Sequence, residues 1–240
     1  MAVLVTRPHP DNEATARALR ERGFDVVLAP MLRYEALPLT DALGADFDAV
    51  IVTSANALRA VEAELGGLLK LPLFAVGDHT ASEARRLGFA EVISAAGDAG
   101  RLRDLLRKRG KGKKAKRLLY LAGSDLSRDL AGELSEYGFE VVTETTYRMV
   151  ALPTLSNETR EAFAANEVEA VLHYSRRSAR AFLEAARAVG VEISALAVPP
   201  CCISANVAAI LHEAGALQVL AAASPDENAL FGALERALRS

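Results

Sequence analysis

The sequence reads Arg22-Gly23-Phe24-Asp25-Val26-Val27 near its start and Tyr137-Gly138-Phe139-Glu140-Val141-Val142 at an offset of 115 residues. The match extends outward at the same offset. Leu4-Val5-Thr6 corresponds to Leu119-Tyr120-Leu121, and Ala36-Leu37-Pro38 corresponds to Ala151-Leu152-Pro153. Self-similarity at a fixed spacing is typical of a fold built from a repeated unit. The chain therefore carries two copies of one unit.

Two further blocks complete the repeat. Asp48–Ser54 matches Glu169–Ser175 at an offset of 121, and Val76–Val92 matches Ile203–Val219 at an offset of 127. The offset grows twice, so the second copy contains two short insertions, which loops tolerate.

Each copy alternates short apolar runs with segments of helical spacing. In the first copy, strands are predicted at 3–6, 24–28, 49–53, 72–76 and 91–93, and helices at 13–22, 56–65, 79–87 and 99–109. In the second copy, strands are predicted near 118–122, 139–144, 169–174, 201–203 and 217–221. Apolar strands that alternate with helices predict parallel sheets covered on both faces. The expected fold is α/β, with two similar doubly wound parallel-sheet lobes.

Two extended segments, 31–37 and 145–152, occupy the same place in the two copies and are each followed by proline. We interpret them as a two-stranded linker that joins the lobes. The repeat alone leaves open whether the lobes follow one another along the chain or are interleaved.

Composition excludes several classes of protein. The chain has 240 residues, of which 51% are hydrophobic and 25% are charged, and its formal net charge is −3. This balance is typical of a globular protein and gives no field that would recruit nucleic acid. No apolar run approaches the ~18 residues of a membrane span, and the N-terminus lacks a signal-peptide pattern. The adjacent Cys201 and Cys202 form neither a disulfide framework nor a zinc site. We expect a reduced, metal-free protein in the cytoplasm.

The usual cofactor and catalytic motifs are absent from the sequence. It contains no GxGxxG after a strand, no GxxxxGK[ST], no HExxH and no GxSxG. The four histidines are scattered without the spacing of metal ligands. The sequence therefore predicts no metal and no organic cofactor.

Small polar residues follow the predicted strands and open the predicted helices. The candidate binding residues are Thr6, Arg7, Ser54, Gly77, Thr80, Gly123, Ser124, Ser175, Arg176, Ser178, Ser204 and Asn206. Helix N-termini expose N–H groups and the positive end of the helix dipole, so they suit carboxylates or phosphates. For any single one of them, an ordinary N-cap is the favoured interpretation. The hypothesis depends on the set, because we expect the strand ends to converge on one cleft between the lobes.

Tyr147 interrupts the repeat, because its partner in the first copy is Leu32 while the neighbours Arg33 and Arg148 match. A tyrosine can donate a proton, whereas leucine cannot. A catalytic donor and an exposed strand tyrosine are both compatible with the spacing. The basic run 108–117 likewise has two interpretations, a polyanion-binding patch or a solvated loop. The loop is favoured, because the run has no aromatic residue and the chain as a whole is acidic.

The sequence resembles the uroporphyrinogen-III synthase family over nearly its whole length. The resemblance is carried by Val3–Pro8, Ile51–Ala57, Val76-Gly77-Asp78-His79-Thr80-Ala81, Leu121-Ala122-Gly123 with Arg128 and Leu130, Tyr147-Arg148 and Ser224-Pro225. Each motif is weak by itself, and their order and spacing make the match specific.

The resemblance implies a discontinuous arrangement of the lobes. Residues 1–30 with 153–240 would form one lobe, 38–144 the other, and 31–37 and 145–152 the linker strands. It also implies a hydro-lyase that cyclises hydroxymethylbilane to uroporphyrinogen III, with loss of water and inversion of the terminal ring through a spiro intermediate. The substrate would be a linear tetrapyrrole with eight carboxylates, and no cofactor would be needed. We expect a monomer that binds neither nucleic acid nor membrane.

The resemblance also assigns roles to individual residues. Tyr147 matches the family's functional tyrosine and would donate the proton, and Thr80 would contact a carboxylate or the leaving water. Ser54 and Ser175 match positions that line the cleft. The chain departs from the family at Val207, where the second copy often has a threonine. The alternative function is a non-catalytic, two-lobed anion-binding or sensory module, or a degenerate synthase domain with a regulatory role.

Overall fold

A computed structural model describes residues 1–39, 46–110, 116–126 and 128–239. The strands are β1 Ala2–Val5, β2 Asp25–Leu28, β3 Leu32–Ala36, β4 Ala49–Val52, β5 Leu73–Ala75, β6 Val92–Ser94, β7 Arg117–Gly123, β8 Glu140–Ala151, β9 Val168–His173, β10 Pro200–Cys202 and β11 Leu220–Ala221. The helices are α1 Asp11–Arg20, α2 Ala55–Ala60, α3 Asp78–Arg86, α4 Ala99–Gly110, α5 Leu130–Ser135, α6 Asn157–Ala164, α7 Arg176–Ala188, α8 Glu192–Ala197, α9 Ala205–Glu213 and α10 Glu227–Ala237.

The contacts within the chain separate two compact units. Unit 1 consists of Met1–Tyr34 and Val150–Ser240, and unit 2 consists of Glu35–Met149. The two unit boundaries fall inside β3 and β8. These strands lie side by side, with hydrogen bonds from the Leu37 N–H to the Thr146 carbonyl and from the Leu152 N–H to the Met31 carbonyl.

Unit 1 contains a sheet of five strands in the order β11-β10-β9-β1-β2, and all its pairs are parallel. One face packs against α1 and α10 and the other against α7 and α9. The two adjacent cysteines divide between these faces, because consecutive strand residues point to opposite sides. Cys201 packs beside Leu230, and Cys202 packs beside Leu211.

Unit 2 contains the strand order β3-β8-β7-β4-β5-β6, in which β4 to β8 pair in parallel. Val50 and Val52 pack with α2 and α3, whereas Ala49 and Ile51 pack with α4 and α5. Burial of both faces explains why the sequence shows continuous apolar runs rather than polar alternation. The expected α/β class with parallel sheets is confirmed.

Two elements differ from the sequence prediction. The helix expected over 56–65 ends at Ala60 and gives way to 3-10 turns at Glu62–Glu64 and Gly66–Lys70. The chain leaves the helical conformation at Val61, whose φ is −121°, and Gly66 and Gly67 disfavour a return to α-helix. The strand expected near 139–144 and the linker strand expected over 145–152 form one twelve-residue strand, β8. No helix in the described ranges is long and apolar enough to cross a membrane.

Candidate functional site

In unit 2, the predicted catalytic tyrosine lies against the end of the neighbouring strand. Gly123 ends β7 and pairs with Tyr147 on β8. A Cβ atom at position 123 would lie 2.6 Å from Cζ and 2.8 Å from Oη of Tyr147. The half-buried Tyr147 ring therefore requires a glycine beneath it. Both residues are candidates from the sequence, whereas their contact is visible only in the structure.

A β-bulge sets the direction of the Tyr147 side chain. The β7–β8 register shifts between Ala122 and Gly123, so that Ala122 pairs with Thr145 while Gly123 pairs with Tyr147. The intervening Thr146 is fully buried, and its hydroxyl donates toward the carbonyls of Ala57 (3.1 Å) and Ala122 (3.3 Å). Bulges commonly re-aim side chains beside active sites. Thr146 is not among the residues predicted from the sequence, where it is visible only as a small polar residue next to the tyrosine.

The end of β4 brings a second pair of hydroxyls to the same edge of the unit 2 sheet. Thr53 Oγ1 lies 3.0 Å from Oη of Tyr120, a residue of β7 that is only 2% exposed. Burial raises the pKa of Tyr120, the hydrogen bond with Thr53 lowers it, and the charge interaction with Tyr147 raises it. Tyr120 is therefore within electrostatic reach of Tyr147. Ser54 caps α2, because its Oγ accepts the Asn56 N–H at 3.3 Å.

The turn after β5 carries two further predicted residues of unit 2. Gly77 precedes α3 in an extended conformation, and a Cβ there would meet only the Gly97 carbonyl, at 3.8 Å. The fold itself does not demand glycine at this position. Thr80 is buried, and its side chain has no hydrogen-bond partner within the part of the chain that the structure describes. Ser124 is exposed after β7 and donates to Asp125 at 3.3 Å.

In unit 1, Thr6 and Arg7 form hydrogen bonds with other groups of the protein. Thr6 is fully buried, and its hydroxyl donates to the Leu172 carbonyl at 2.8 Å. Arg7 binds Asp11 and Glu227 at 3.2 Å each, and its guanidinium stacks on the Tyr174 ring. In this structure Thr6 joins two strands and Arg7 is held by two carboxylates.

Glu227 is the centre of that cluster. Its Oε1 accepts hydrogen bonds from Thr15 at 2.5 Å and Tyr174 at 3.1 Å as well as from Arg7. Burial raises the pKa of Tyr174, so its phenol keeps its proton and acts as a donor. No sequence pattern reveals this cluster, because its members lie far apart in the chain.

The α7 N-terminus carries three predicted residues with different environments. Ser175 caps the helix by accepting the Ser178 N–H at 3.0 Å, and the buried Ser178 hydroxyl donates to the Ser175 carbonyl at 3.0 Å. Arg176 is exposed and lines a shallow cavity of 440 Å³ with Arg177, Arg180 and Glu184.

The α9 N-terminus explains the valine at position 207. Val207 is buried in the core cluster formed by α7 and α9. Its counterpart in unit 2 is Thr80, which is buried to a similar extent. Ser204 is half-buried and makes no side-chain capping bond, and Asn206 is exposed.

Other polar groups have environments that do not favour catalysis. Burial raises the pKa of both cysteine thiols to about 12, so neither is a nucleophile near neutral pH. The described residues bring together no group of three potential metal ligands. Of the basic run 108–117, residues 111–115 lie outside the described residues. Arg109 stacks on Phe74, and Arg117 pairs with Glu140 at 2.8 Å.

Comparison with known proteins identifies the family. The chain matches the family model described as uroporphyrinogen-III synthase HemD over residues 13–232. Among solved structures, uroporphyrinogen-III synthetase from Helicobacter pylori is 18% identical with a TM-score of 0.67, and the match covers 99% of this chain and 98% of that chain. A mutant uroporphyrinogen III synthase from Thermus thermophilus is 20% identical with a TM-score of 0.57, covering 100% of this chain and 99% of that chain.

At these identities the structural likeness establishes the shared fold. None of the curated protein sequences matches this chain. The family model, in contrast, spans nearly the whole sequence, including both copies of the repeat. The chain therefore belongs to the uroporphyrinogen-III synthase family, the enzymes that cyclise hydroxymethylbilane.

Proposed function

We propose that this chain converts hydroxymethylbilane into uroporphyrinogen III and that Tyr147 donates the proton to the departing hydroxyl. The observation that carries the proposal is the half-buried Tyr147 ring packed over Gly123 at the carboxyl end of β7. Ligands of open parallel sheets bind beyond the carboxyl ends of the strands. The bulge at Thr146 supports the assignment, because it holds the tyrosine in one orientation.

The proposed chemistry balances without a cofactor. The pyrrole nitrogen of the first ring pushes out the hydroxyl as the C–O bond breaks, and Tyr147 supplies the proton that turns the hydroxyl into water. The azafulvenium carbon is then attacked by the substituted carbon of the last ring, which gives a spiro intermediate. This intermediate fragments and recloses with the last ring inverted. The proton lost on aromatisation returns to the Tyr147 phenolate.

The main contribution to catalysis is control of direction. The free bilane closes without inversion, so the protein must hold one folded conformation of the chain. A positioned acid adds about 10²–10⁴-fold to such a reaction. Tyr147 is therefore one contributor rather than the whole of catalysis.

The eight substrate carboxylates need hydrogen-bond donors. We propose that Ser54, Gly77, Thr80, Gly123 and Ser124 supply them in unit 2. In unit 1 we propose Ser175, Arg176, Ser204 and Asn206, with backbone N–H groups replacing the hydroxyl that Val207 lacks. The Ser178 hydroxyl donates to the Ser175 carbonyl, so we propose that it supports the helix cap. The unpaired hydroxyl of Thr80, among the described residues, and the exposed guanidinium of Arg176 support this assignment. Thr6 and Arg7 have internal partners, which favours a supporting role for both.

We further propose that the chain acts as a monomer in the cytoplasm and binds neither nucleic acid nor membrane. Two lobes, 1–30 with 153–240 and 38–144, would be joined by linker strands 31–37 and 145–152. The buried, unpaired Cys201 and Cys202 support a reducing compartment.

The test generates hydroxymethylbilane in situ, oxidises the products and separates the type I and type III isomers. Tyr147→Phe removes the hydroxyl and keeps the ring over Gly123, so we expect kcat for type III to fall about 100-fold with little change in stability. Tyr137→Phe is the matched control, because Tyr137 is an exposed tyrosine of unit 2.

Three results separate the parts of the proposal. A large loss in Tyr147→Phe alone supports both the function and the donor. Unchanged type III formation removes Tyr147 from the mechanism and keeps the function. Type I alone, as in the reaction without protein, overturns the synthase function.

A further inference from the structure

Tyr120 holds a hydroxyl at the carboxyl edge of the unit 2 sheet. Its ring lies in the core on the α4 and α5 face, and it is only 2% exposed. Its Oη reaches beyond the end of β4 to Thr53, with 3.0 Å between the two oxygens. Within the described residues, this is the hydrogen bond that the Tyr120 side chain makes.

The direction of that hydrogen bond follows from burial. A buried phenol that is left without an acceptor loses the hydrogen bond it makes to water in the unfolded chain and gains nothing in return. Burial also raises the pKa of Tyr120, so the phenol keeps its proton. Tyr120 therefore donates to Thr53 Oγ1, and the hydroxyl proton of Thr53 is left to point elsewhere.

We propose that Tyr120 is a positioning residue that fixes the Thr53 hydroxyl as a donor to a carboxylate of the tetrapyrrole substrate. The inference rests on the proposed function. Two hydroxyls in series polarise each other, so Thr53 becomes a stronger donor than an isolated threonine. The carboxylate comes from the proposed substrate, and the place of Thr53 suits it, because ligands of parallel sheets bind beyond the carboxyl ends of the strands.

Two neighbours sharpen the assignment. Ser54, the next residue, already accepts the Asn56 N–H as the cap of α2. Tyr120 lies on β7, the strand whose last residue, Gly123, pairs with Tyr147, so the Tyr120–Thr53 pair and the proposed proton donor belong to the same edge of the unit 2 sheet.

The test compares steady-state kinetics of Tyr120→Phe, Thr53→Val, Thr53→Ser and the double variant Tyr120→Phe with Thr53→Val. Tyr120→Phe keeps the ring in the core and removes only its hydroxyl. We expect KM to rise about fivefold to tenfold while kcat changes less than about twofold, as for loss of one positioned hydrogen bond. Thr53→Ser keeps the donor and should behave like wild type. The double variant should be no worse than Thr53→Val, because the two hydroxyls act as one unit.

Binding of uroporphyrin III gives a second measurement that needs no turnover. This oxidised product carries the same eight carboxylates, and its Kd should rise about fivefold to tenfold in Tyr120→Phe and in Thr53→Val but not in Thr53→Ser. A merely structural role would lower the melting temperature without this pattern of rescue.

The outcomes are distinct. Unchanged KM and Kd in Tyr120→Phe overturn the inference, as do effects that multiply in the double variant. A wild-type protein that forms no type III product overturns the proposed function, and the Kd comparison still decides the role of Tyr120.

Discussion

The carboxyl edges of the two parallel sheets carry similar residue types but pair them differently. In unit 2, the Tyr147 ring covers Gly123 and is only half-buried, and Thr80 has a hydroxyl with no partner in the described residues. In unit 1, Arg7 and Tyr174 converge on the single carboxylate of Glu227. The polar groups of the Glu227 cluster satisfy one another, whereas the Thr80 hydroxyl makes no hydrogen bond to the described residues, as our proposal of Thr80 as a substrate donor requires.

Equivalent positions of the repeat show how this difference arose. Thr53 corresponds to Tyr174 and Val52 corresponds to His173. The backbone of the repeat is kept, since both positions follow or end a central parallel strand. The side chains differ, and unit 1 has larger polar groups that pack inward. The two copies thus share a scaffold, and the tyrosine at the unit 1 edge donates to Glu227 while Tyr147 of unit 2 packs over Gly123.

The largest expected effect comes from filling the space beneath Tyr147. Gly123→Ala would place a methyl group 2.6 Å from the ring, so the tyrosine must move. We expect type III formation to fall about 100-fold, in line with the cost of misplacing a catalytic group by an ångström. The measurement is kcat/KM together with the urea midpoint.

Two further variants test whether the contact between residue 123 and Tyr147 causes the loss. Gly67→Ala is the matched control, because a Cβ there meets nothing within 4 Å. Adding Tyr147→Leu to Gly123→Ala restores the residue type found at Leu32 in the first copy, and should recover stability but not activity. Full activity in Gly123→Ala would contradict the idea that the contact positions Tyr147.

Breaking the cluster of unit 1 should change stability more than activity. Glu227→Ala removes the acceptor of Thr15 and Tyr174, so we expect the free energy of unfolding to fall by about 1–3 kcal/mol. Arg7 keeps its contact with Asp11, and type III formation should persist. Urea unfolding and the isomer assay measure the two effects, with Glu235→Ala as a control on the exposed side of α10. An activity loss without a stability loss would instead place Glu227 in substrate binding.

Much of the fold could be predicted from the sequence, because the repeat and the apolar runs report directly on parallel strands and their covering helices. The strands were predicted to within a few residues, as at β4, predicted over 49–53 and observed at Ala49–Val52. The helix over 56–65 was predicted too long, since the chain leaves the helical conformation at Val61, a local turn that apolar spacing does not reveal.

The site could be predicted only in part. Tyr147 is visible as a break in the repeat, and Gly123 as a glycine at a strand end. Their contact depends on the bulge at Thr146, which is a register shift between strands that the sequence does not encode locally. The Glu227 cluster is hidden for a related reason, because Arg7 and Glu227 are brought together only by the strand order of the unit 1 sheet.

The last expected effect appears only on acidification and concerns His173, the residue that ends β9 where unit 2 has Val52. The ring is fully buried, neither nitrogen has a hydrogen-bond partner in the described residues, and its edge packs on Phe182. Burial lowers the pKa of His173 from 6.5 to about 3. His173 therefore binds a proton below about pH 6.5 in the unfolded chain but only below about pH 3 in the folded chain. Stability falls as the pH falls through this window, by about 2 kcal/mol between pH 7 and pH 5.

Urea unfolding at the two pH values measures this loss, and His173→Leu should remove most of it because leucine does not titrate. His79→Gln, at an exposed histidine of unit 2, should leave the loss unchanged. A loss of equal size in His173→Leu would show that other groups cause the pH dependence. The comparison measures how much stability unit 1 loses at low pH because it buries a histidine at the end of β9. The equivalent residue of unit 2 is Val52, which does not titrate.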